Sequence, residues 1–342
     1  MLLCQLLSIS KPIIQAPMAG VQDWRLAVAV SQAGALGSIP CGMLTSEQVI
    51  EQVSLFQHHC DKPYNLNFFC HQMPQMNDAE LARWQTCLEP YYHQYQLPPS
   101  ASITGLRKPF DKQMADKLDA IKPPVVSFHF GLPEPQLVEQ IKTWGTIILS
   151  SATTVEEAIW LQNNGADVII AQGCEAGGHR AMFLTDDPNT QQSTQTLLAA
   201  IMDAVSIPVI AAGGLATATD VKQMLAKGAA GVQLGTAYLL CDEATTFALH
   251  RKALSSPAHK TALTNIFSGR LARGIVNQAM QELGYINDNA PRFPYASLAM
   301  APLRAKAESV GDDGFSPLWA GTNTSGCRQV SASELTRSLW NV

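Results

Sequence analysis

Short runs of β-branched and other apolar residues recur along the chain every 20 to 30 residues or so, with segments of helical periodicity between them, the pattern of repeated βα units. Candidate strands begin near Pro12 (PIIQAP), Ala35 (ALGSIP), Tyr64 (YNLNFF), Pro124 (PVVSFHF), Thr146 (TIILSS), Asp167 (DVIIAQ), Pro208 (PVIAAG) and Gly231 (GVQLGT). Helices are expected between them. TSEQVIEQVSLFQHH opens on a Thr cap with Glu47 two residues on, while TTVEEAIWLQNNG and TATDVKQMLAKGA each end at a glycine of the kind that closes helices. Eight strands with crossover helices close most naturally into an α/β (βα)8 TIM barrel rather than an open doubly wound sheet.

Two stretches break the repeat. Between the third and fourth strands lie DAELARWQTCLEPYYHQYQL and the loop PPSASITGLRKP, far more chain than a crossover needs. After the eighth strand about a hundred residues remain, expected to be helical from Asp242 to about Leu283 and then rich in Pro, Asn and Asp. Together they read as a helical cap over one barrel mouth. The expected division is a barrel of residues 1–72, 110–242 and about 312–342, with residues 73–109 and 243–311 as the cap and substrate domain.

Composition narrows the class. Of 342 residues, 46% are hydrophobic and 15% charged, which suits strands buried on both faces. The formal net charge is −5 and no Lys or Arg block stands out, so no nucleic-acid partner is expected. Apolar runs fall short of a bilayer span, and MLLCQLLSIS lacks a basic leader, which points to a cytoplasmic protein with no membrane partner. The eight cysteines are scattered without a CxxC pair or zinc-site spacing to His, so they read as inert thiols and no metal is expected. Neither pattern nor motif specifies an oligomeric state.

Barrel active sites lie at the carboxyl ends of the strands, so the residues that end each apolar run are the candidates. Gly213 and Gly214 follow the seventh strand, and the eighth runs into Gln233, Leu234, Gly235 and Thr236. Glycine admits close backbone approach, and this pair of positions is where many barrels cradle a phosphate. The sixth strand ends in Gln172-Gly173-Cys174-Glu175-Ala176-Gly177-Gly178-His179-Arg180, a glycine-rich loop that can wrap a planar ring. A lone His is commonly structural, but His179 follows two glycines at the catalytic face, where it can serve as general base or hydrogen-bond donor. The first strand ends in Gln15-Ala16-Pro17-Met18-Ala19-Gly20, stiff and small enough to leave room for a flat ligand. At the end of the third, Asn67 can bond a heterocycle edge, Phe68 and Phe69 read as core, and His71 follows.

Taken together, PIIQAPMAG, NLNFFCH, ADVIIAQGCEAGGHR, IPVIAAGGLATATDV, GAAGVQLGTAYL and SGRLARGIVN resemble the class I nitronate monooxygenases, also called 2-nitropropane dioxygenases, over almost the whole chain. The resemblance implies noncovalent FMN, no metal, and oxidation of alkyl nitronates, propionate 3-nitronate foremost, with O2 to a carbonyl compound plus nitrite or nitrate. It further implies that Asn67, Gln172, Gly177, Gly178, Gly213, Gly214 and the Gln233 to Thr236 segment bind FMN, that Pro17 and Met18 lie beside its ring, and that His179 is the catalytic histidine. Val21-Gln22-Asp23-Trp24 and Ala181 depart from the family pattern and bear on substrate preference more than on flavin binding. The rival readings are an FMN-dependent NAD(P)H reductase of quinones or enoyl thioesters, and a flavin-binding protein without turnover.

Overall fold

In this computed structural model, residues 2–98, 106–256 and 259–340 are described. The expected strands form at β1 (Ile13–Gln15), β2 (Gly37–Pro40), β3 (Tyr64–Phe69), β4 (Val125–His129), β5 (Ile147–Ala152) and β6 (Val168–Gln172). A two-residue strand β7 (Gly178–His179) comes next, then the last two of the expected eight, β8 (Val209–Ala212) and β9 (Gly231–Leu234). All pairings in the eight-stranded sheet are parallel, in the order β1-β9-β8-β6-β5-β4-β3-β2. A bridge between Ile14 and Leu36 joins β1 to β2 and closes the sheet into a (βα)8 barrel.

The strand alternation explains the composition. Outward residues such as Leu66, Val126, Ile148, Ile169 and Val232 join one large apolar core with the surrounding helices. Inward residues change character along the barrel. At the amino ends they are apolar, with Ile14, Leu36, Val125, Leu149, Val168 and Ile210 in a second cluster. Higher up they are polar: Asn65 donates to the hydroxyls of Ser38 (3.0 Å) and Ser127 (2.9 Å), and Asn67, Gln172 and Gln233 stand at the carboxyl ends. One barrel end is thus sealed by hydrocarbon and the other is built for a polar ligand.

The seal is completed by a helix that the pattern did not predict. Leu2–Leu6 folds across the amino end and buries Leu3, with Leu7 and Ile9 following, against the inner apolar layer. Among the crossover helices, Ser46–His59 has a capping box, but the reciprocal partner of Thr45 is Gln48, three residues on, rather than Glu47, which bonds Ser46 instead. Gly165 and Gly228 close their helices with φ of +104° and +99°, as expected. The final helix, Ala332–Trp340, returns to the barrel flank, where Thr336 bonds the buried Tyr238 hydroxyl at 2.9 Å.

The inserted helix Asp78–Gln94 lies against Ala296–Ser309. Trp84 Nε1 donates to the Ala296 carbonyl (3.2 Å) and the Tyr92 hydroxyl to that of Ala299 (2.6 Å), inside an apolar cluster of their own. Residues 99–105 of the PPSASITGLRKP loop lie outside the described residues. The expectation of continuous helix from Asp242 to Leu283 is overturned. That stretch holds helices Ala248–Leu254 and Gln278–Glu282, and between them an antiparallel hairpin of β10 (Thr261–Thr264) and β11 (Ala272–Ile275). The turn at Phe267-Ser268-Gly269 accounts for the break: Gly269 has φ of +86°, and a side chain there would meet the Pro291 carbonyl at 2.0 Å.

Truncating the amino-terminal plug should test its weight. Leu3→Ala is expected to cost about 2–4 kcal/mol, read as a lowered urea midpoint at constant slope. Leu2→Ala, at a side chain 67% exposed, should stay within about 0.5 kcal/mol.

Candidate active site

A cavity of about 240 Å³ opens at the carboxyl ends of the barrel strands. Every residue singled out from the sequence as a site candidate lines it: Pro17, Met18, Asn67, Gln172, Gly177, Gly178, His179, Gly213, Gly214, Gln233, Leu234, Gly235 and Thr236. Strand parity divides the Phe pair. Phe69 joins Asn67 in the lining, whereas Phe68 points outward into the core. His71 is buried behind the wall, 4.7 Å from the Phe293 ring.

The departures near the first strand have a structural use. Gln22 accepts from the Met18 N–H (2.9 Å) and from Gln15 (2.7 Å) and donates to the Ser38 carbonyl (2.5 Å), pinning the Pro17-Met18 turn to the barrel wall. Asp23 caps the helix Trp24–Gln32. Ala181 is fully buried, and its N–H donates to Gln172.

The sixth-strand loop is folded around a buried cation. Arg180 is fully buried and donates to the carbonyls of Gly173 and Gln172, both at 2.6 Å, and to the Gln191 side chain at 2.7 Å. Burial lowers its guanidinium to about 10, so it stays charged at neutral pH. Gln172 spends its amide on the same loop, accepting from Ala181 N–H (2.9 Å) and donating to the His179 carbonyl (3.0 Å). Gly177 is required because a Cβ would strike the Ala320 and Gly321 backbone at 2.5 Å, whereas a Cβ on Gly178, at φ of +74°, would meet open space.

β7 then pairs antiparallel with β11, His179 opposite Ala272 and Gly178 opposite Arg273, so the hairpin missed by the periodicity is what holds the histidine. His179 Nε2 lies 2.8 Å from Ser268 Oγ, and that hydroxyl is directed to the Arg270 carbonyl at 3.3 Å. With the serine proton so engaged, Nε2–H donates to Ser268 and Nδ1 keeps the lone pair. The rings of Phe130, Phe293 and Trp319 stand 5.5 to 6.1 Å from the imidazole. Burial holds His179 well below the usual imidazole value, reinforced by the Arg107 guanidinium and then by His129, Arg270 and His71. His129, half-buried, is pushed down to about 3 by desolvation, and its Nε2–H donates to the His179 carbonyl at 3.1 Å. Neutral imidazoles therefore line this wall.

Opposite lie the glycine turns. Gly213 and Gly214 adopt φ of +121° and +69°, and a side chain at Gly214 would meet Glu175 Cβ at 3.0 Å. Glu175 braces the turn from behind, accepting from Thr194 N–H and hydroxyl at 2.8 Å each. Just before the helix Ala218–Ala226, the N–H groups of Ala216 and Thr217 both donate to Asp220, at 2.9 Å each. Beside them, Gln233 Oε1 is buried without a donor among the described residues. Asn67 Nδ2 is held by Ser127, which leaves Oδ1 to meet a ligand.

Several lining residues escaped the sequence reading. Gly321 and Asn323 come from the segment after Trp319; Gly321 N–H donates to Thr236 Oγ1 (2.9 Å) and Asn323 to the Gly214 carbonyl (3.0 Å), closing the cradle from the far end of the chain. Arg107, His250 and Arg304 reach the cavity from segments outside the barrel strands. No local motif marks Arg107, His250 or Arg304.

The comparisons agree with this architecture. The family model described as nitronate monooxygenase matches residues 1–341. Nitronate monooxygenases of Paraburkholderia phytofirmans and Pseudomonas aeruginosa are each 37% identical, over 98% of this chain and 93% and 97% of theirs respectively. Among solved structures, the nitroalkane oxidase from Streptomyces ansochromogenes superposes with a TM-score of 0.91 at 34% identity, covering 99% of this chain and 96% of that one. FabK from Thermotoga maritima, at 23% identity and a TM-score of 0.74 over 98% of this chain and 94% of that one, shares the fold. A closed barrel with these glycine turns, a hairpin-held histidine and a family match from end to end together establish that this chain belongs to the nitronate monooxygenase family and is an oxidoreductase.

Proposed function

We propose that the protein is an FMN-dependent nitronate monooxygenase that oxidises alkyl nitronates, propionate 3-nitronate among them, with O2 to a carbonyl compound plus nitrite or nitrate. The observation that carries this reading is a half-buried His179, held well below the usual imidazole value, at the edge of a cavity whose opposite wall is made of left-handed glycine turns. FMN when bound supplies the electron acceptor that no side chain can replace.

The residues present fit that group. The turns at Gly213-Gly214 and Gly235-Thr236 are open to a phosphate, and Gln233 Oε1 is a buried acceptor with no donor, which the N–H edge of a flavin would satisfy. Asn67 would meet the same ring system, with Pro17 and Met18 beside it. Gly177 and Gly178 let the loop lie flat along it, while Gln172 and Leu234 shape the wall. Nδ1 of His179 removes the α-proton of a neutral nitroalkane, and for a preformed nitronate no proton need move. The aromatic wall of Phe69, Phe130, Phe293 and Trp319 excludes water from the charge that develops. Among the described residues no helix is long and apolar enough to cross a membrane, and we read the enzyme as cytoplasmic.

Three outcomes test the reading. Heat should release FMN rather than FAD from yellow purified protein, and Gly214→Asp, which sets a carboxylate against the phosphate, should weaken FMN binding at least about tenfold in a fluorescence titration. Mixed anaerobically, propionate 3-nitronate should bleach the flavin while NADH leaves it unchanged; the reverse pattern would promote the reductase.

His179→Asn should lower turnover of neutral nitroalkanes by about a hundredfold or more, and of preformed nitronates far less. Because the His179 pKa is depressed, the base stays deprotonated as pH falls. The nitroalkane kcat/KM should therefore remain level through about pH 6.5, where an ordinary imidazole would protonate.

A further inference from the structure

Glu157 is fully buried on the helix Val155–Asn163, which packs on the outer side of β5 and β6, and Arg180 is fully buried next to His179 in the chain. Among the described residues neither makes a direct ion pair. A buried charge without a counter-charge is costly, so what joins these two decides how firmly the histidine loop is held.

Three hydrogen bonds join them, all running in one direction. Arg180 Nε–H donates to Gln191 Oε1 (2.7 Å), Gln191 Nε2–H to Thr153 Oγ1 (3.2 Å), and the Thr153 hydroxyl to Glu157 Oε2 (2.8 Å). A guanidinium only donates and a carboxylate only accepts, so the two ends fix the sense of every bond between them, and bonds aligned head to tail polarise one another. Cation and anion are thereby coupled through two neutral side chains.

The second carboxylate oxygen reaches further along the chain. Glu157 Oε1 accepts from the N–H groups of Phe183 (2.7 Å) and Leu184 (3.3 Å). Helix capping explains only part of this set, because Thr154 is the N-cap and Oε2 alone takes the Thr153 N–H, at 2.7 Å. Oε1 is spent on residues 26 and 27 positions away, just past the histidine.

We infer that Glu157 is a positioning residue for His179: it fixes Arg180 through Thr153 and Gln191, fixes Phe183 directly, and so strings the chain that follows the histidine between two anchors. The inference rests on His179 acting as the base in the reading above and adds the residue, outside the cavity, that keeps it aimed. The hairpin holds His179 itself; the Glu157 chain holds the residues that leave it.

Glu157→Gln keeps the side-chain size but has one oxygen where two are needed, so its NH2 must face either the Thr153 donors or the N–H groups of Phe183 and Leu184. The kcat/KM for neutral nitroalkanes should fall about ten- to a hundredfold, the loss expected of a base displaced by about 1 Å, and preformed nitronates should lose far less. Equal losses for both substrates, with a lowered urea midpoint, would make Glu157 a helix cap and nothing more. Gln191→Met cuts the same chain at a half-buried residue, should show the same split, and carries the test if Glu157→Gln does not fold. The double variant should lose less than the product of the two single losses, and full multiplication would overturn the chain.

Amide exchange in the flavin-loaded protein reads the positioning without turnover. The Arg180 N–H, which donates to the Leu271 carbonyl at 2.8 Å, should exchange faster in both variants than in the wild type, while β8 and β9 keep their protection. Unchanged exchange over residues 180–184 would overturn the inference. A wild-type enzyme that oxidises neither nitroalkane nor nitronate would sink the functional reading instead, and the exchange rates would still decide the positioning.

Discussion

Everything distinctive about this site depends on one short antiparallel pairing, Gly178-His179 against Ala272-Arg273. A barrel loop of nine residues has no reason of its own to hold an imidazole in one orientation. Pairing with a hairpin contributed almost a hundred residues later fixes its backbone, and Ser268 in the turn of that hairpin fixes its ring. Arg180, adjacent to the histidine, anchors the other end of the loop through the carbonyls of Gln172 and Gly173. The barrel supplies position, and the hairpin supplies orientation.

Charge distribution follows the same division. The barrel interior is apolar at its amino end and neutral polar at its carboxyl end, and the acidic residues near the site, Glu157 and Glu175, are turned away to brace backbone N–H groups. Arginines surround this end: Arg180 in the sixth-strand loop, Arg270 beside the hairpin, and Arg107 and Arg304 in the cavity lining. Burial and these neighbours keep His71, His129, His179 and His250 below the usual imidazole value. The result is a chamber lined by arginines and by imidazoles held below their ordinary value.

The glycines of the site do different things, and the sequence alone does not separate them. Gly177 is there because backbone from Ala320 and Gly321 passes too close for a side chain, a constraint of packing. Gly178 faces open space in a left-handed conformation, and Gly213 and Gly214 combine left-handed backbone with close neighbours. A motif records that glycine is needed at each position, while the reason lies in segments far away in the chain.

What the sequence by itself determined is the barrel and the ring of residues at its mouth. Alternating apolar runs specify strands, strands joined by crossover helices close in sequential order, and the residue that ends each strand must then face the same opening, so Asn67, Gln172, His179, Gly214 and Gln233 were legible together. Local pattern failed where stability came from contacts distant in sequence. The hairpin at Thr261 to Ile275 has little strand signal and exists because β7 and the Trp319 segment complete its hydrogen bonds. The amino-terminal plug reads as an unremarkable apolar stretch until the barrel end offers it a floor. Arg107, His250 and Arg304 sit in helical or irregular chain with no motif around them. Only the tertiary structure brings them to one cavity, because long-range packing of the cap, rather than any local propensity, decides where those side chains end.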